Sequence, residues 1–290
     1  MRYILITGKD SYIGTSVENW LLKEPENYHI TTLNMQDPNW KDHDFSKYDN
    51  VLHVAGIAHS DTKNVDAATK KMYYMINTDL TIETAQKAKE SGVKQFIFMS
   101  SIIVYGSSAF IGQEKIITEE TIPQPANFYG DSKLQAEKGL EKINDGTFKV
   151  AIIRPPMIYG KGAKGNYSKL SKIAKKVKIF PDIDNQRSML HIDNLCEFIR
   201  LLITEEDSGV FAPQNNEYVK TSELVREIAS IHNNRIKLTK LLNPFLRHGA
   251  KKIDLLNKVF GSLVYDQKMS LYKEKYQIRN FRESIELTER

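Results

Sequence analysis

The sequence predicts an α/β fold, a doubly wound parallel sheet with a smaller C-terminal lobe. The first observation is that short apolar, β-rich runs alternate with longer helical patterns through the first two thirds of the 290 residues. Such alternation is typical of βαβ crossovers, which place helices on both faces of a parallel sheet. The second is that the first run enters a glycine turn and then a helical pattern. The third is that the alternation fails towards the C-terminus.

Each predicted strand is a short apolar run bounded by turn residues. Candidate strands are YILIT (3–7), HITTL (29–33), NVLHVAG (50–56), KQFIFMSS (94–101) and FKVAIIRP (148–155), with SMLHI (188–192) as a further candidate. Candidate helices cover 14–24, 66–90, 129–144 and 193–204. Only QDPNWKDHDFSKYD separates the second strand from VLHVAG. Because this leaves little room for a helix and another strand, we predict a trimmed crossover there.

The alternation also predicts the domain boundaries. Segments 161–186 and 214–290 depart from it, so we assign them to the smaller lobe. Residues 1–160, together with about 187–213, then form the larger domain. Segment 242–264 has a basic amphipathic pattern, for which packing inside the small lobe is favoured over binding to a membrane surface.

Composition limits the classes of partner. The net charge of +5, from 41 basic and 36 acidic residues, is too mild to indicate nucleic acid. The basic run 169–178 has helical spacing, typical of a solvated helix face, although it could also attract an anionic substrate. The single cysteine, Cys196, excludes an intramolecular disulfide and suits a reducing cytosol. No signal peptide, membrane-span pattern or His/Cys cluster is evident, so we expect a cytoplasmic protein without metal or membrane insertion.

The stretch ITGKDSYIG predicts a strand, a turn and a helix. Gly8 can take the positive φ of a tight turn, and Gly14 lets the helix approach the sheet closely. Backbone N–H groups at the start of such a helix can bind phosphate. Ser11 stands where dinucleotide-binding loops usually carry their middle glycine, which predicts weaker binding. Alone, the pattern is equally typical of an ordinary strand–turn–helix.

Three residues in the middle of the chain, Ser101, Tyr129 and Lys133, form a candidate catalytic group. Ser101 follows the strand KQFIFMSS, and Tyr129 and Lys133 lie four residues apart in NFYGDSK, on one face of a predicted helix. We expect the Lys133 ammonium to lower the pKa of the Tyr129 phenol towards neutrality. A surface helix could carry this spacing by chance. Together with the glycine turn and the strand-end serine, it predicts hydride transfer at a carbinol or carbonyl carbon.

Taken together, these segments resemble the extended short-chain dehydrogenase/reductase superfamily, in its nucleotide-sugar epimerase/dehydratase branch. The matching segments span residues 1 to about 200 and are TGKDSYIG, VLHVAG, INTDLT, KESGVKQFIFMSSIIVYG, NFYGDSK, RPPMIYGKG and NQRSMLHIDNL. The resemblance implies that the larger domain is a Rossmann-like dinucleotide-binding domain. It also implies that the smaller lobe binds a nucleotide sugar.

The resemblance further implies a role for individual residues. Tyr129 becomes the acid/base, Lys133 its partner and a ribose ligand, and Ser101 a hydroxyl ligand of the substrate. Arg187 becomes a contact of the nucleotide-sugar diphosphate, with a surface salt bridge as the alternative, and Asn166 a further substrate contact. The implied cofactor-binding residues are Gly8, Ser11, Tyr12, Ile13, Gly14, Asn34, Ala55, Asn77, Lys133 and Pro156. For Arg154, His53 and His191 we expect structural roles.

Within the superfamily, the resemblance is to bacterial reductases of UDP-4-keto-6-deoxy-N-acetylhexosamines in capsule and O-antigen pathways. Their products are UDP-N-acetyl-D-fucosamine or UDP-N-acetyl-D-quinovosamine. A UDP-glucose or UDP-N-acetylglucosamine 4-epimerase with tightly bound NAD is the alternative, and a non-catalytic dinucleotide-binding protein a remote one. A dehydratase is disfavoured, because Ile102 and Ile103 stand where that group carries an acidic pair.

The expected cofactor is an exchangeable NADP(H) or NAD(H). Asn34 ends the second strand, where an acidic residue would bind the adenosine ribose of NAD and repel a 2′-phosphate. Its absence, together with Lys9 in the turn, slightly favours NADPH. The expected partners are a UDP-sugar and, by analogy with the superfamily, a second copy in a homodimer, with a monomer as the alternative.

Overall fold

The structure is a computed structural model, and it describes residues 1–58 and 65–290. Its strands are β1 (Arg2–Thr7), β2 (Tyr28–Leu33), β3 (Asn50–His53), β4 (Gln95–Met99), β5 (Ile116–Ile117), β6 (Lys149–Ile153), β7 (Met157–Tyr159), β8 (Ile179–Pro181), β9 (Met189–His191), β10 (Gly209–Phe211), β11 (Lys237–Thr239) and β12 (Val264–Tyr265). Its α-helices are α1 (Tyr12–Leu21), α2 (Ala67–Tyr74), α3 (Leu80–Glu90), α4 (Phe128–Ile143), α5 (Asn166–Ala174), α6 (Ile192–Glu205), α7 (Thr221–Ile231), α8 (Asn243–Ala250), α9 (Asp254–Phe260) and α10 (Phe281–Glu289).

The chain divides into two compact units. Unit 1 comprises Met1–Gly106, Pro123–Pro155 and Leu195–Ala212, and unit 2 comprises Ser107–Ile122, Pro156–Asn194 and Pro213–Arg290. The sequence-based boundaries placed 156–160 and 187–194 in the larger domain, whereas the structure groups both with unit 2. The reason is that β7 and β9 pair with each other. Unit 2 also takes 107–122, because β5 pairs with β12.

Unit 1 is built on a six-stranded sheet in the order β10–β6–β4–β3–β1–β2, with every pair parallel. This confirms the predicted α/β fold with a doubly wound parallel sheet. The candidate strand at 188–192 forms as β9, but it lies outside this sheet. The sheet's edge strand is instead β10, which the sequence analysis did not identify. Three residues, two of them exposed, are too few to give a recognisable period.

The trimmed crossover is confirmed. β2 and β3 both pair with β1, one on each side. The structure describes every residue from 34 to 49, and the only helical turn there is the 3-10 turn Trp40–Asp42. Trp40 and Phe45 from this stretch are buried and pack into the core of unit 1. Two aromatic side chains therefore cover a part of the sheet that a crossover helix would otherwise cover.

The central strands explain the core of unit 1. Every residue of β3 and of β4 is buried, as expected for parallel strands covered on both faces. Phe96 and Phe98 of β4 lie in the same cluster as Ala136 and Leu140 of α4. This packing places α4 directly on the sheet and so fixes the helix that carries the predicted catalytic pair.

The predicted helix at 66–90 consists of three parts. α2 and α3 are separated by a π-helical turn over Met75–Asp79. The sequence predicted one continuous helix because the helical pattern persists through the turn. A π-turn accommodates one extra residue and often marks a functional site. Here it contains the buried residue Asn77.

Unit 2 has its own apolar core. Tyr159, Tyr167, Val225 and Phe260 are among its buried members, and Leu246 and Leu256 of α8 and α9 pack against it. The amphipathic segment 242–264 therefore packs into this unit with one side. Across the described parts of both units, no helix is long and apolar enough to cross a membrane. The same residues contain no cluster of three or more His, Cys, Asp or Glu suited to a metal ion.

Candidate active site

The Ser101 side chain lies near enough to the Tyr129 phenol to affect its pKa, and both residues belong to unit 1. Ser101 follows β4 and caps the 3-10 turn Ile102–Tyr105, where its Oγ accepts the Ile103 N–H at 3.3 Å. The Ser101 hydroxyl therefore accepts one hydrogen bond from the backbone and keeps its own hydrogen as a possible donor. The structure therefore brings together two of the three residues predicted to be catalytic.

Gly130 makes this approach possible. A Cβ at Gly130 would lie only 2.8 Å from the Ile103 carbonyl oxygen and 3.0 Å from the Pro125 side chain. The side chain of Asn127 caps α4 by accepting the Gly130 N–H at 3.0 Å. Only glycine therefore lets the first turn of α4 pack on the Ser101 turn. The sequence analysis did not identify Gly130, although a glycine directly after the candidate tyrosine was a visible signal.

The pKa of Tyr129 is raised to about 12, mainly by burial, while the Ser101 hydrogen bond opposes the rise. Tyr73 of α2 contacts the ring edge-on, with 6.0 Å between ring centroids. We expected Lys133 to lower this pKa, and that expectation was wrong. The pKa is raised, and the Lys133 charge is not among the causes of the shift. The phenol is protonated at neutral pH.

Lys133 is buried one helical turn after Tyr129. Its Nζ donates to the Met99 carbonyl oxygen at 2.8 Å and lies 4.6 Å from the Phe98 ring centroid. Burial lowers its pKa to about 8, an effect that Glu137 opposes. A Cβ at Gly56 would lie 3.2 Å from the same Nζ. The ammonium is thus held at the carboxyl end of β4, beside the loop that follows β3.

Glu137 extends the row of Tyr129 and Lys133 by one more helical turn and belongs to a buried network. Arg154 donates to its carboxylate from Nε at 3.1 Å and from Nη2 at 2.6 Å, and from Nη1 to Tyr105 Oη at 2.7 Å. Ser100 also donates to Glu137. This agrees with the structural role expected for Arg154. The four-residue spacing after Lys133 was the signal for Glu137 that the sequence analysis missed.

The two conspicuous histidines are structural. His53 is fully buried between Thr7 Oγ1 at 2.7 Å and Thr81 Oγ1 at 3.1 Å, and burial lowers its pKa to about 3. In unit 2, His191 accepts the Asp193 N–H at 3.2 Å, and its pKa is lowered to about 4, chiefly by burial. Both rings are therefore neutral at physiological pH.

The glycine turn connects β1 to α1. Gly8 has a φ of +109°, and a Cβ there would lie 2.8 Å from the backbone nitrogen of Ala55. The Gly8 N–H and the Lys9 N–H both donate to the Leu33 carbonyl oxygen, which ties the turn to the end of β2. These close contacts require glycine at position 8. The absence of a side chain at Gly8 fits a dinucleotide, because its pyrophosphate needs an unobstructed backbone at a helix N-terminus.

Ser11 caps the helix that follows this turn. Its Oγ accepts the Gly14 N–H at 3.1 Å, and the Ser11 N–H donates to the Gly8 carbonyl oxygen at 3.1 Å. A Cβ at Gly14 would lie 2.6 Å from Ser11 Oγ, so the cap also requires a glycine at 14. Tyr12 and Ile13, two further predicted cofactor residues, form the first turn of α1. Serine is favoured at an N-cap because it satisfies an N–H that the helix leaves unpaired.

Asn77 lies between α4 and the loop after β3. Its side chain accepts the Ile57 N–H at 2.8 Å and donates to the Ile57 carbonyl oxygen and to Ser132 Oγ, each at 3.1 Å. A Cβ at Gly56 would lie 3.1 Å from Asn77 Oδ1. Its amide is therefore used to hold the loop that contains Gly56 against the helix of Tyr129 and Lys133.

The other predicted cofactor residues lie at the ends of strands. Asn34 directly follows β2, is exposed, and accepts the Gln36 N–H at 3.0 Å. Ala55 is half-buried after β3. Pro156 is buried and is the first residue of its segment in unit 2. Its neighbour Pro155, in unit 1, accepts the Ile102 N–H at 2.9 Å.

The two predicted substrate residues lie in unit 2. Arg187 donates from Nη1 to the carbonyl oxygens of Lys258 at 2.9 Å and Gly261 at 3.0 Å, at the C-terminal end of α9. Burial lowers its pKa to about 10, and within residues 1–58 and 65–290 it has no carboxylate partner, so the predicted alternative of a salt bridge is not found. Asn166 is the exposed first residue of α5.

Two curated proteins resemble the chain in sequence. A protein of Vibrio cholerae named UDP-glucose 4-epimerase is 37% identical over 186 residues, which cover 62% of this chain and 56% of that protein. An Escherichia coli O157:H7 protein is 29% identical over 279 residues, 89% of this chain and 81% of its own length. It is named N-acetyl-alpha-D-glucosaminyl-diphospho-ditrans,octacis-undecaprenol 4-epimerase.

Solved structures support the fold. A dTDP-4-dehydrorhamnose reductase of Clostridium acetobutylicum superposes with a TM-score of 0.74, covering 98% of this chain and 97% of its own at 18% identity. Residues 4–214 match the NAD dependent epimerase/dehydratase family, and this range contains the glycine turn, Ser101, Tyr129 and Lys133. The chain therefore belongs to the NAD dependent epimerase/dehydratase family.

Proposed function

We propose that the chain is an NAD(P)H-dependent reductase of the C4 ketone of a UDP-4-keto-6-deoxy-N-acetylhexosamine. The product would be UDP-N-acetyl-D-fucosamine or UDP-N-acetyl-D-quinovosamine for a surface polysaccharide. The observation that carries this proposal is the placement of the buried Tyr129 phenol beside the Ser101 side chain and on the same helix as Lys133; burial raises the pKa of this phenol to about 12, so it is protonated at neutral pH. A phenol in this state is suited to giving a proton to an oxygen that gains negative charge.

The reaction follows from these groups. A bound nicotinamide cofactor supplies the hydride that reduces the carbonyl carbon. Ser101 donates a hydrogen bond to the carbonyl oxygen as negative charge develops there. Tyr129 Oη transfers its proton to that oxygen, which leaves an alcohol on the sugar and a phenolate on the enzyme. We propose that the buried ammonium of Lys133 stabilises the negative charge that develops on the carbonyl oxygen.

The cofactor residues that we propose follow the contacts of the glycine turn. The N–H groups of Tyr12 and Ile13 begin α1 and would bind the pyrophosphate beside Gly8. Asn34 supplies no carboxylate to repel a 2′-phosphate, so we propose NADPH as the preferred reductant. The short connection between β2 and β3 supports exchange of this cofactor between turnovers, since no crossover helix lies over the β2 end of the sheet.

For the substrate diphosphate we propose Arg187 as the principal contact. Its guanidinium is partly buried and is compensated only by carbonyl oxygens among the described residues. A cation in that setting is stabilised by an anion, and a guanidinium can bind two phosphate oxygens at once. We propose Asn166 as a second contact, through its amide.

A 4-epimerase is the second candidate. It is favoured by the names of the relatives from Vibrio cholerae and Escherichia coli O157:H7, both of which are named as 4-epimerases. The second name also raises the alternative that the sugar diphosphate is attached to a polyprenol rather than to uridine. Epimerisation uses the same three residues, but Tyr129 must first accept a proton. An epimerase must also retain its cofactor through oxidation and re-reduction, whereas we propose that the short β2–β3 connection allows the cofactor to exchange, which supports the reductase.

The proposed function is tested with purified protein, a UDP-4-keto-6-deoxy-N-acetylhexosamine and either NADPH or NADH. We expect stoichiometric oxidation of the cofactor, faster with NADPH, and a single C4 configuration in the product by NMR. We also expect the cofactor to be lost on dialysis. Interconversion of UDP-N-acetylglucosamine and UDP-N-acetylgalactosamine without added cofactor, by protein that retains NAD stoichiometrically, would instead establish the epimerase.

The pH dependence of this reaction should report on Lys133. Because burial lowers its pKa to about 8, the ammonium loses its proton above that pH, and kcat/KM should fall about tenfold per unit. Tyr129 remains protonated throughout this range. Lys133→Met should lower kcat and remove the alkaline decline. A rate in the wild-type protein that stays constant to pH 10.5, the ordinary pKa of lysine, would contradict this assignment.

A further inference from the structure

The segment 240–260 of unit 2, which we call the basic hairpin, contains α8 and α9. Its inner side is buried, with Ala250 and Phe260 in the core. A Cβ at Gly249 would lie 3.2 Å from the Leu256 side chain, so the two helices are in close contact. The Ile253 N–H donates to the Gly249 carbonyl oxygen at 2.9 Å and closes the connection between them. The hairpin is therefore a packed part of the unit.

Its outer side carries large apolar residues. Leu241 is 83% exposed, Phe245 76%, Leu255 61% and Ile253 51%. The core of unit 2 is already covered by other residues of the hairpin, namely Leu246, Ala250, Leu256 and Phe260, so the exposed side chains are not needed for that packing. A concentration of exposed apolar side chains beyond that requirement marks a surface that contacts a partner.

The same segment is strongly basic. Residues 240–260 contain five Lys or Arg and one Asp. In the described part of the chain, neither Arg247 nor Lys251 has a carboxylate within ion-pair distance. Exposed apolar side chains next to uncompensated positive charge are typical of helices that lie in the headgroup region of an anionic bilayer.

A cavity adjoins the hairpin. It has a volume of about 310 Å³ and is lined by Phe110, Ile111, Gln113, Arg247, Ala250 and Lys251. All of these residues belong to unit 2. The Arg247 guanidinium lies over the backbone of Gly112, where a Cβ would be 3.6 Å from Nε. The cavity thus combines an apolar lining with two cations, which matches the phosphate and the adjoining glycerol of a phospholipid headgroup.

We propose that the basic hairpin binds the surface of an anionic bilayer, inserting Leu241, Phe245 and Leu255 between headgroups. Arg247 and Lys251 bind a lipid phosphate at the mouth of the cavity. This binding is peripheral and reversible, because Phe245 and Leu255 belong to short helices and Leu241 lies just before the first of them. It does not depend on the proposed reaction, so vesicle binding and turnover of a water-soluble substrate can succeed or fail separately.

The test is co-sedimentation of the full chain with vesicles of phosphatidylcholine, with and without phosphatidylglycerol. We expect binding only to vesicles that contain phosphatidylglycerol, with loss of binding at about 1 M salt. Phe245→Asp, and separately Arg247→Glu with Lys251→Glu, should each weaken binding by about tenfold or more. Thermal unfolding shows whether each variant remains folded, and gel filtration gives its oligomeric state.

Two variants serve as matched controls. Leu271→Asp changes a residue of unit 2 that is 78% exposed, close to the 76% of Phe245. Lys172→Glu with Lys176→Glu makes the same change in net charge at two exposed lysines elsewhere in that unit. Both controls should bind as the wild-type protein does. If the controls lost vesicle binding to the same extent, the effect would come from overall charge or hydrophobicity, and the proposal would be wrong. If Phe245→Asp converted a dimer to a monomer, the surface would instead bind a second copy of the chain.

Discussion

Replacing Tyr129 with Phe is expected to lower the turnover of the ketone by about 10²- to 10⁴-fold while leaving cofactor affinity unchanged. The change removes the only proton donor that we assign to the reaction, yet it keeps the ring that contacts Tyr73 edge-on. The measurement is single-turnover oxidation of NADPH, together with a titration of the cofactor by nicotinamide fluorescence.

Tyr74→Phe is the matched control. Its hydroxyl also donates to α4, to Asp131 at 2.8 Å, and its pKa is likewise raised to about 12. Losing that hydroxyl should change turnover by less than about threefold, since it takes no part in the proton transfer. If Tyr129→Phe retained wild-type turnover, or if both variants lost it equally, the assignment of the proton donor would be wrong.

Replacing Arg154 with Met is expected to lower the free energy of unfolding by about 3–5 kcal/mol. The guanidinium makes three hydrogen bonds to Glu137 from a fully buried setting, and Glu137 also accepts from Ser100. Burial alone would lower the pKa of Arg154, but the hydrogen bonds and charge of Glu137 outweigh it and raise this pKa, so the guanidinium remains charged. Without Arg154, the fully buried Glu137 side chain loses its ion-pair partner. Denaturant unfolding followed by circular dichroism measures the loss.

Two further variants distinguish pairing from simple packing. Lys94→Met removes a surface partner of Asp49, 3.3 Å away, and should cost at most about 1 kcal/mol. The double variant Glu137→Met with Arg154→Met should be more stable than Arg154→Met alone, because no buried carboxylate is left without its Arg154 partner. A double variant as unstable as the sum of its parts would show that volume, rather than charge, controls this site.

Much of unit 1 was predictable because its signals are local. The glycine turn, the missing crossover helix and the spacing of Tyr129 and Lys133 all follow from residues close together in sequence. The Ser11 cap is an equally local signal. The sequence analysis did not predict it, because Ser11 was interpreted only as a replacement for the middle glycine of a dinucleotide-binding loop. A serine before a helix is first of all a cap.

The features that were missed depend on distant contacts. The Tyr129 pKa was wrongly predicted because burial of the phenol raises it, and that burial comes from packing which sequence spacing does not reveal. β10 was missed because three residues show no period, and its place follows only from pairing with β6. The network of Glu137 and Arg154 joins residues 17 apart through the fold.

The extra residue in the turn Met75–Asp79 sets α2 and α3 out of phase. Each added residue rotates whatever follows it by about 100° around the axis. An apolar stripe traced from Ala67 therefore cannot continue on the same side as far as Glu90. Deleting one residue of this turn would restore a regular α-helix and rotate the Asn77 amide away from Ile57. The loop that contains Gly56 would then lose the hydrogen bond that holds it next to Lys133.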